Sequence, residues 1–539
     1  MTRNRPSPNR ACGARLLAIL GVAALIAVGC SGETTGDETA ADTGETTPTT
    51  ETSQSTDTGP AAEDTAESGG TDGGDTWDDP RGAIFADFQA QFDRTHPFGG
   101  LERFCEPQDA ASDRRDTDTG IAADTISVHH LRGELENLVD IGFGIDVGDP
   151  SLMFQTFVDV INEDCGGIRG RRLELSETSY DPLSPDVEQA RVTACVTATE
   201  DDNAVVVMNT SGFQGVAALC VAEEHGTPLI TNQGFSEAFL ERGGGNLMTQ
   251  RFSLDDSVRF MVERIAGTGT LDGKTIAVVG GDTPGQPEVV ESSLVDALAS
   301  VGQDPTVDII GCNGLATCTD GLQESVGNLK SAGVDVVFPA LNILSLPGYL
   351  AEMVAQGFAP GDVQFYNSEF EGQSSDLVSS KVAALGGEAA AALYDGTVIV
   401  DSAATGAFRL EGAEPTPFNQ MCLDAYAERT GIAYDWRTEQ DNTPAGMATN
   451  VCSVVRQAAR AIYDAGDNPT RDDITAAFAG LGPVDVNDML PATLGPGKYA
   501  LPDANQTMTW TSPCAIEGAA FDENDTCIIP DENYELTTG

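Results

Sequence analysis

Small polar residues gather where apolar, strand-like runs stop. Asn209, Thr210, Ser211 and Gly212 follow the run Ala204–Met208 and open the next helix; Asn232, Gln233 and Gly234 follow Pro228–Thr231. Hydroxyls and backbone N–H groups at a helix start favour an anion. A second set adds an acid: Asn342 after Val334–Pro339, and Asn367-Ser368-Glu369 after Gln364–Tyr366. Donors on one side and a carboxylate on the other suit a zwitterion held in a dry cleft. Each residue has a plainer alternative: Thr210, Ser211 and Asn342 as turn or N-cap residues, Glu369 as a solvated loop acid. Arg132 and Glu134, just past the first strand, read as surface charge before ligand contacts.

Catalytic patterns are missing. The sequence has no G-x-S-x-G elbow, S-x-x-K, H-E-x-x-H or phosphate-binding loop. Gly280 to Gly285 follows a strand, but Pro284 and the absent Lys make it a plain turn. Asp522-Glu523-Asn524-Asp525 lacks the spacing of a calcium loop and reads as solvated tail. The histidines are His96, His129, His130 and His225, and no C-x-x-C pair accompanies them, so no metal site, cofactor or enzymatic activity is expected.

The elements that position the polar sets alternate between strand and helix from about residue 121. Two runs of Val/Ile-rich strands and amphipathic helices, 121–253 and 254–372, are each the size of one open sheet. The expected fold class is α/β, two doubly wound parallel-sheet lobes with a cleft at the carboxyl ends of the strands. After 372 come a strand at Thr397–Val400 and helices near 417–430, 444–465 and 471–479, in a segment expected to complete mainly the first lobe up to 480. Residues 481–539 are rich in Pro, Asn and Asp and are expected to be an irregular tail on the second lobe. Ile84, Phe85, Phe88 and Phe92 sit at helical spacing in an N-terminal extension, 81–120.

Composition frames these elements. The chain has 539 residues, 85 acidic and 28 basic, a net charge of −57. That charge excludes a partner held by phosphate contacts, hence no nucleic acid, and argues against adsorption to anionic lipid. Residues 31–80 hold fourteen acids and fourteen threonines but no Lys, Arg, Leu, Ile, Val, Met or Phe, and so cannot bury a core. They read as a disordered tether spanning on the order of 40 Å. Ahead of it, Arg3, Arg5, Arg10 and Arg15 precede thirteen apolar or small residues, Leu16 to Val28, too few to span a bilayer and typical of a signal-peptide core.

That run ends in Ala27-Val28-Gly29-Cys30, which resembles the lipobox of bacterial lipoproteins, with Ala27 in place of the usual Leu. Cys30 is then the expected lipidation site. The stretch Asn162-Glu163-Asp164-Cys165-Gly166-Gly167-Ile168-Arg169-Gly170-Arg171 resembles the IN..GGI.GR hairpin of type I solute-binding proteins of the leucine/isoleucine/valine class. Glu224–Ile230 and Val278–Gln286 are similar to later segments of that family, Pro284 replacing a Tyr. The likeness covers roughly 121–480.

The resemblance implies a two-lobed clamshell joined by three crossovers that captures a small polar ligand, an amino acid or an amide- or urea-like compound, and delivers it to the permease of an ABC importer. The same fold in a sensing receptor component is the alternative. It implies a monomer, lipid-anchored on the extracytoplasmic face of the membrane. Thr210, Ser211, Gly212, Gln233, Gly234, Asn342 and Glu369 would meet the ligand, Glu369 aligning with the acid that takes an ammonium group. The family's ligand-covering aromatics have no obvious counterpart; Phe213 is the substitute on offer. The loop Ile141 to Asp146 is longer than usual, which points away from a branched-chain amino acid. Without Cys12 and Cys30, ten cysteines remain, which allow roughly nine hundred pairings. Proximity in the implied fold suggests Cys195–Cys220, Cys312–Cys318, Cys422–Cys452, Cys514–Cys527 and Cys105–Cys165.

Overall fold

In a computed structural model the described residues are 82–210, 212–312, 317–487, 491–516 and 526–537. The signal, Cys30, the tether, Ser211 and the 522–525 acids lie outside them. The first sheet has five parallel strands: β1 (Thr125–Gly133), β2 (Arg172–Tyr180), β3 (Val206–Asn209), β4 (Leu229–Thr231) and β5 (Leu247–Thr249), in the order β2-β1-β3-β4-β5. The inner strands β3 and β4 are short, apolar and buried on both faces, which suits parallel pairing through helical crossovers. Those helices lie between the strands of the sheet: Pro150–Asp159, Val187–Val196 and Val216–Leu219, each running on for a wider final turn.

The second sheet has seven strands, in the order β14 (Cys527–Leu536), β13 (Ala504–Thr511), β10 (Thr397–Asp401), β9 (Gln364–Ser368), β8 (Val336–Ala340), β6 (Ile276–Gly281) and β7 (Thr306–Ile310). Its parallel part is β6, β7, β8, β9 and β10. Between them, β11 (Gly482–Pro483) and β12 (Thr493–Leu494) form a separate two-stranded ladder. Two features depart from the sequence expectation. β10 pairs with β9, so the second lobe runs past 372 to about 401. The tail is not irregular: β13 (Ala504–Thr511) runs antiparallel to β10, and β14 (Cys527–Leu536) to β13. Its Asn, Thr and Asp residues occupy strand positions whose alternate side chains, such as Met508 and Trp510, are buried in the core.

The first-lobe core takes in the N-terminal extension and the later helices. Phe98, Phe104 and Phe157 share it with Phe418, Cys452 and Ile474. Helix Glu439–Asp464 buries Val451, Val454, Val455 and Ala458 in the same cluster. Five disulfides join the cysteines in the pairs the family likeness suggested. No helix among the described residues is long and apolar enough to cross a membrane.

The chain passes between sheets three times: after β5, after β10, and again just before β13. The crossovers are tied together. Thr249 N–H donates to the Tyr499 carbonyl at 2.9 Å and Leu501 N–H to that of Thr249 at 3.0 Å, while Gln506 Nε2 donates to the Ala403 carbonyl at 2.6 Å.

Candidate functional site

In open α/β sheets, ligands sit outside the carboxyl ends of the strands, near the point where strand order reverses. A cavity of about 520 Å³ occupies that position in both lobes at once. Its wall includes residues just past β3 (Thr210, Gly212), β4 (Gln233, Gly234), β8 (Asn342) and β9 (Glu369). Thus the structure brings together six of the seven residues singled out in the sequence, and the seventh, Ser211, is not described.

Gly212, Gln233, Asn342 and Glu369 are hydrogen-bonded to other groups of the protein. Gly212 has φ +71°, a left-handed conformation that glycine adopts without strain, and its N–H donates to Gln233 Oε1 at 3.1 Å. Gln233 N–H donates to Thr231 Oγ1, and Thr231 Oγ1 to Asn209 Oδ1, both at 3.1 Å. The start of the next helix is capped by the protein's own acid, with Ala217 N–H donating to Glu188 Oε1 at 2.9 Å. The anion site expected at that helix start is therefore already filled by Gln233 and Glu188. Asn342 Oδ1 accepts the Ser345 N–H at 3.0 Å, the turn and cap role that the sequence left open.

Glu369 is in the wall but tightly held. Its Oε1 accepts the Phe252 N–H and its Oε2 the Ser402 hydroxyl at 2.6 Å. Burial, and then the neighbouring Asp401, push its carboxyl well above the ordinary range, with Arg251 and Ser402 opposing. Arg251 Nη1 lies 3.8 Å from Glu369 Oε2 and 3.7 Å from Asp401 Oδ1, and its Nε donates to Asn232 Oδ1 at 3.0 Å. Arg251 stands in the first crossover and Asp401 and Ser402 at the mouth of the second, so this charged cluster belongs to the hinge.

Other expectations sort clearly. Phe213 is fully buried against Tyr180, at 5.7 Å between ring centres, and packs in the first-lobe core rather than over the cleft. Arg132 pairs with Glu136, and Glu134 accepts from Ser179 and Asn137, so both remain in local surface pairs. Among the described residues, the one Cys/His grouping of metal-ligand size is Cys195, Cys220 and His225; the disulfide between its cysteines removes both thiolates as ligands.

Sequence reasoning missed most of the wall. The unusual loop at 141–146 supplies Phe143 and Ile145, and the 3₁₀ turn before it supplies Leu135 and Leu138. Phe408 and Trp436, beyond the second crossover, also face the cavity. Arg251 was missed as well. Its signal was a basic residue directly after a strand, in a chain where such residues are scarce.

A family model described as periplasmic binding protein matches residues 148–510. Comparison with curated proteins gives no match. Among solved structures, a solute-binding protein of an ABC transporter from R. palustris, in complex with 4-hydroxybenzoate, is similar at TM-score 0.54 and 13% identity, over 77% of this chain and 98% of that one. A fatty acid ABC transporter substrate-binding protein from Thermomonospora curvata gives 0.54 and 15%, over 79% and 97%. A leucine-binding protein from Thermotoga maritima gives 0.51 and 11%, over 77% and 98%.

Proposed function

The chain belongs to the periplasmic binding protein family, and from that premise we propose that it captures a small molecule in the cleft by lobe closure and hands it to the permease of an ABC importer. Ligand binding and an extracytoplasmic place follow from the family; the delivery step, the lipid anchor at Cys30 and the monomeric state are this proposal's own. The observation that carries it is the cavity itself. It lies at the strand ends of both lobes and beside three crossovers, so a bound solute would touch both lobes and favour the closed form. In this reading Thr210, Gly212, Gln233, Gly234 and Asn342 shape the cleft around the solute, Ser211 extends the first-lobe set, and Glu369 fixes the hinge side.

The 4-hydroxybenzoate bound in one similar protein and the fatty acid of another make carboxylates part of the screen alongside amino acids, amides and ureas. The test is a thermal-shift panel of those classes. A ligand at a hundred times its Kd adds about 2.7 kcal/mol to stability. A reproducible rise in melting temperature with one class is expected; a flat response to every class would refute solute capture. Uptake of the hit by a reconstituted permease then separates delivery from simple binding.

A further inference from the structure

Most of the acids that face the cleft have little left to offer a ligand. Glu188 holds the Ala217 N–H and lies 3.5 Å from Arg191; Asp282 holds the Cys312 N–H at 2.6 Å; Asp376 holds Arg409 at 2.7 Å. Glu369 holds Phe252 and Ser402, as above. Glu188 and Asp376 are paired with arginines and Glu369 is held at both oxygens, so of these four acids Asp282 alone keeps an oxygen for a ligand ammonium. The hinge arginine differs. Arg251 Nη1 is buried and makes no hydrogen bond, since its two acids stand at 3.7 and 3.8 Å, and 24% of the side chain remains exposed on the cleft wall. Guanidinium nitrogens only donate, and Asp401, whose Oδ2 is the buried unbonded acceptor of the same cluster, is not part of the cavity wall, so the group the cleft presents here is a donor. Gln214 and Asn450 also have unbonded buried oxygens at the wall, but an amide can turn to present either end and fixes no sign. Leu138, Phe143, Phe408, Trp436 and Met447 line the same cavity. Its volume is in the range of sites that enclose a drug-sized ligand.

We infer that the ligand is an apolar monocarboxylate whose acid group is received by Arg251 on the hinge, with Glu369 and Asp401 backing the guanidinium, and whose body lies along the apolar wall. The inference rests on the solute-capture reading and narrows it. Because the receptor group is part of a crossover, the anion contacts the hinge itself rather than the donor set of the first lobe.

Calorimetric titration of matched pairs tests it: benzoate against benzamide, hexanoate against hexanamide, with leucine as the zwitterion. In the unmodified protein at least one acid should bind tenfold or more tighter than its amide, and tighter than leucine. Arg251→Gln should bring the acid-to-amide ratio close to one, Arg251→Lys should give an intermediate ratio, and Trp436→Ala should weaken acid and amide alike while keeping the ratio. Equal binding of acid and amide, tighter binding of leucine, an unchanged ratio in Arg251→Gln, or no binding of any of the five would overturn the inference. A hit elsewhere in the broader thermal-shift panel would in that case leave solute capture standing; silence across that panel would remove both.

Discussion

The first-lobe rim and the hinge are built from similar materials and spend them differently. At the rim, Gly212, Thr231, Gln233 and Glu188 satisfy one another and the backbone. At the hinge, Arg251 stands near two acids without a hydrogen bond to either. A rim that closes its own hydrogen bonds is scaffold: it holds the strand ends in place and keeps water from unravelling them. A charged group held short of full pairing keeps capacity for a ligand. Polar residues at strand ends therefore mark the neighbourhood of a site, while the state of their hydrogen bonds tells which of them a solute can use.

If the first lobe is scaffold, damage there should cost stability and leave ligand preference alone. The largest effect should come from replacing Cys195 and Cys220 together by Ser, because their disulfide ties two successive first-lobe helices across 25 residues of chain. A loss of about 3 kcal/mol in chemical denaturation is expected, with an unchanged ratio of acid to amide affinity. Gln233→Ala removes the acceptor of the half-buried Gly212 N–H and should cost about 0.5–1.5 kcal/mol, read from the denaturation midpoint. Glu188→Ala removes a helix cap and should cost about 1 kcal/mol. A change in ligand preference in any of the three would erase the distinction between the regions.

Acidity separates the two regions by sign. His129, in β1, is buried and its pKa falls to about 4 from 6.5, with Asp202 pulling the other way. Its neighbour His130 is lowered too, again by burial. A depressed folded pKa means that their contribution is complete above pH 6.5 and is lost as pH falls toward 4. Glu369 is raised above its ordinary 4.5, so its contribution is complete below that and is lost as pH rises through the folded value. Melting temperatures across pH should show both limbs. His129→Gln should flatten the acid limb and Glu369→Gln the other; a pair of unaltered profiles would contradict these assignments. A carboxylate bound beside Glu369 and Asp401, with Arg251 as their facing cation, raises the Glu369 pKa further, so affinity should decline as pH rises.

Much of the fold was legible because its signals are local. Val206–Asn209 and Val336–Ala340 are buried apolar runs bounded by turn residues, and the helices between them repeat every three to four residues. β5 is three residues long and carries no period. β13 alternates buried and half-buried positions from Gln506 to Thr511, an alternation its Asn, Gln and Thr content masked, and β14 carries Pro530 and no such period. At the site, strand-end glycines and hydroxyls were visible, whereas their internal pairing was not, since Gly212 and Gln233 meet only through tertiary structure. Arg251 could not be read as hinge charge because Glu369 and Asp401 come together with it only once β9, β10 and the first crossover are in place. The loop at 141–146, unlike the family's usual one, was noticed in the sequence; its role as an apolar wall needed the cavity.

The central claim is that a solute held at the hinge closes the two lobes on each other, and small-angle X-ray scattering tests it most directly. Saturating the protein with the acid that binds best should reduce the radius of gyration, the matched amide should reduce it only at far higher concentration, and Arg251→Gln should remove the difference between them. A radius that stays constant while calorimetry shows the ligand bound would contradict capture by lobe closure.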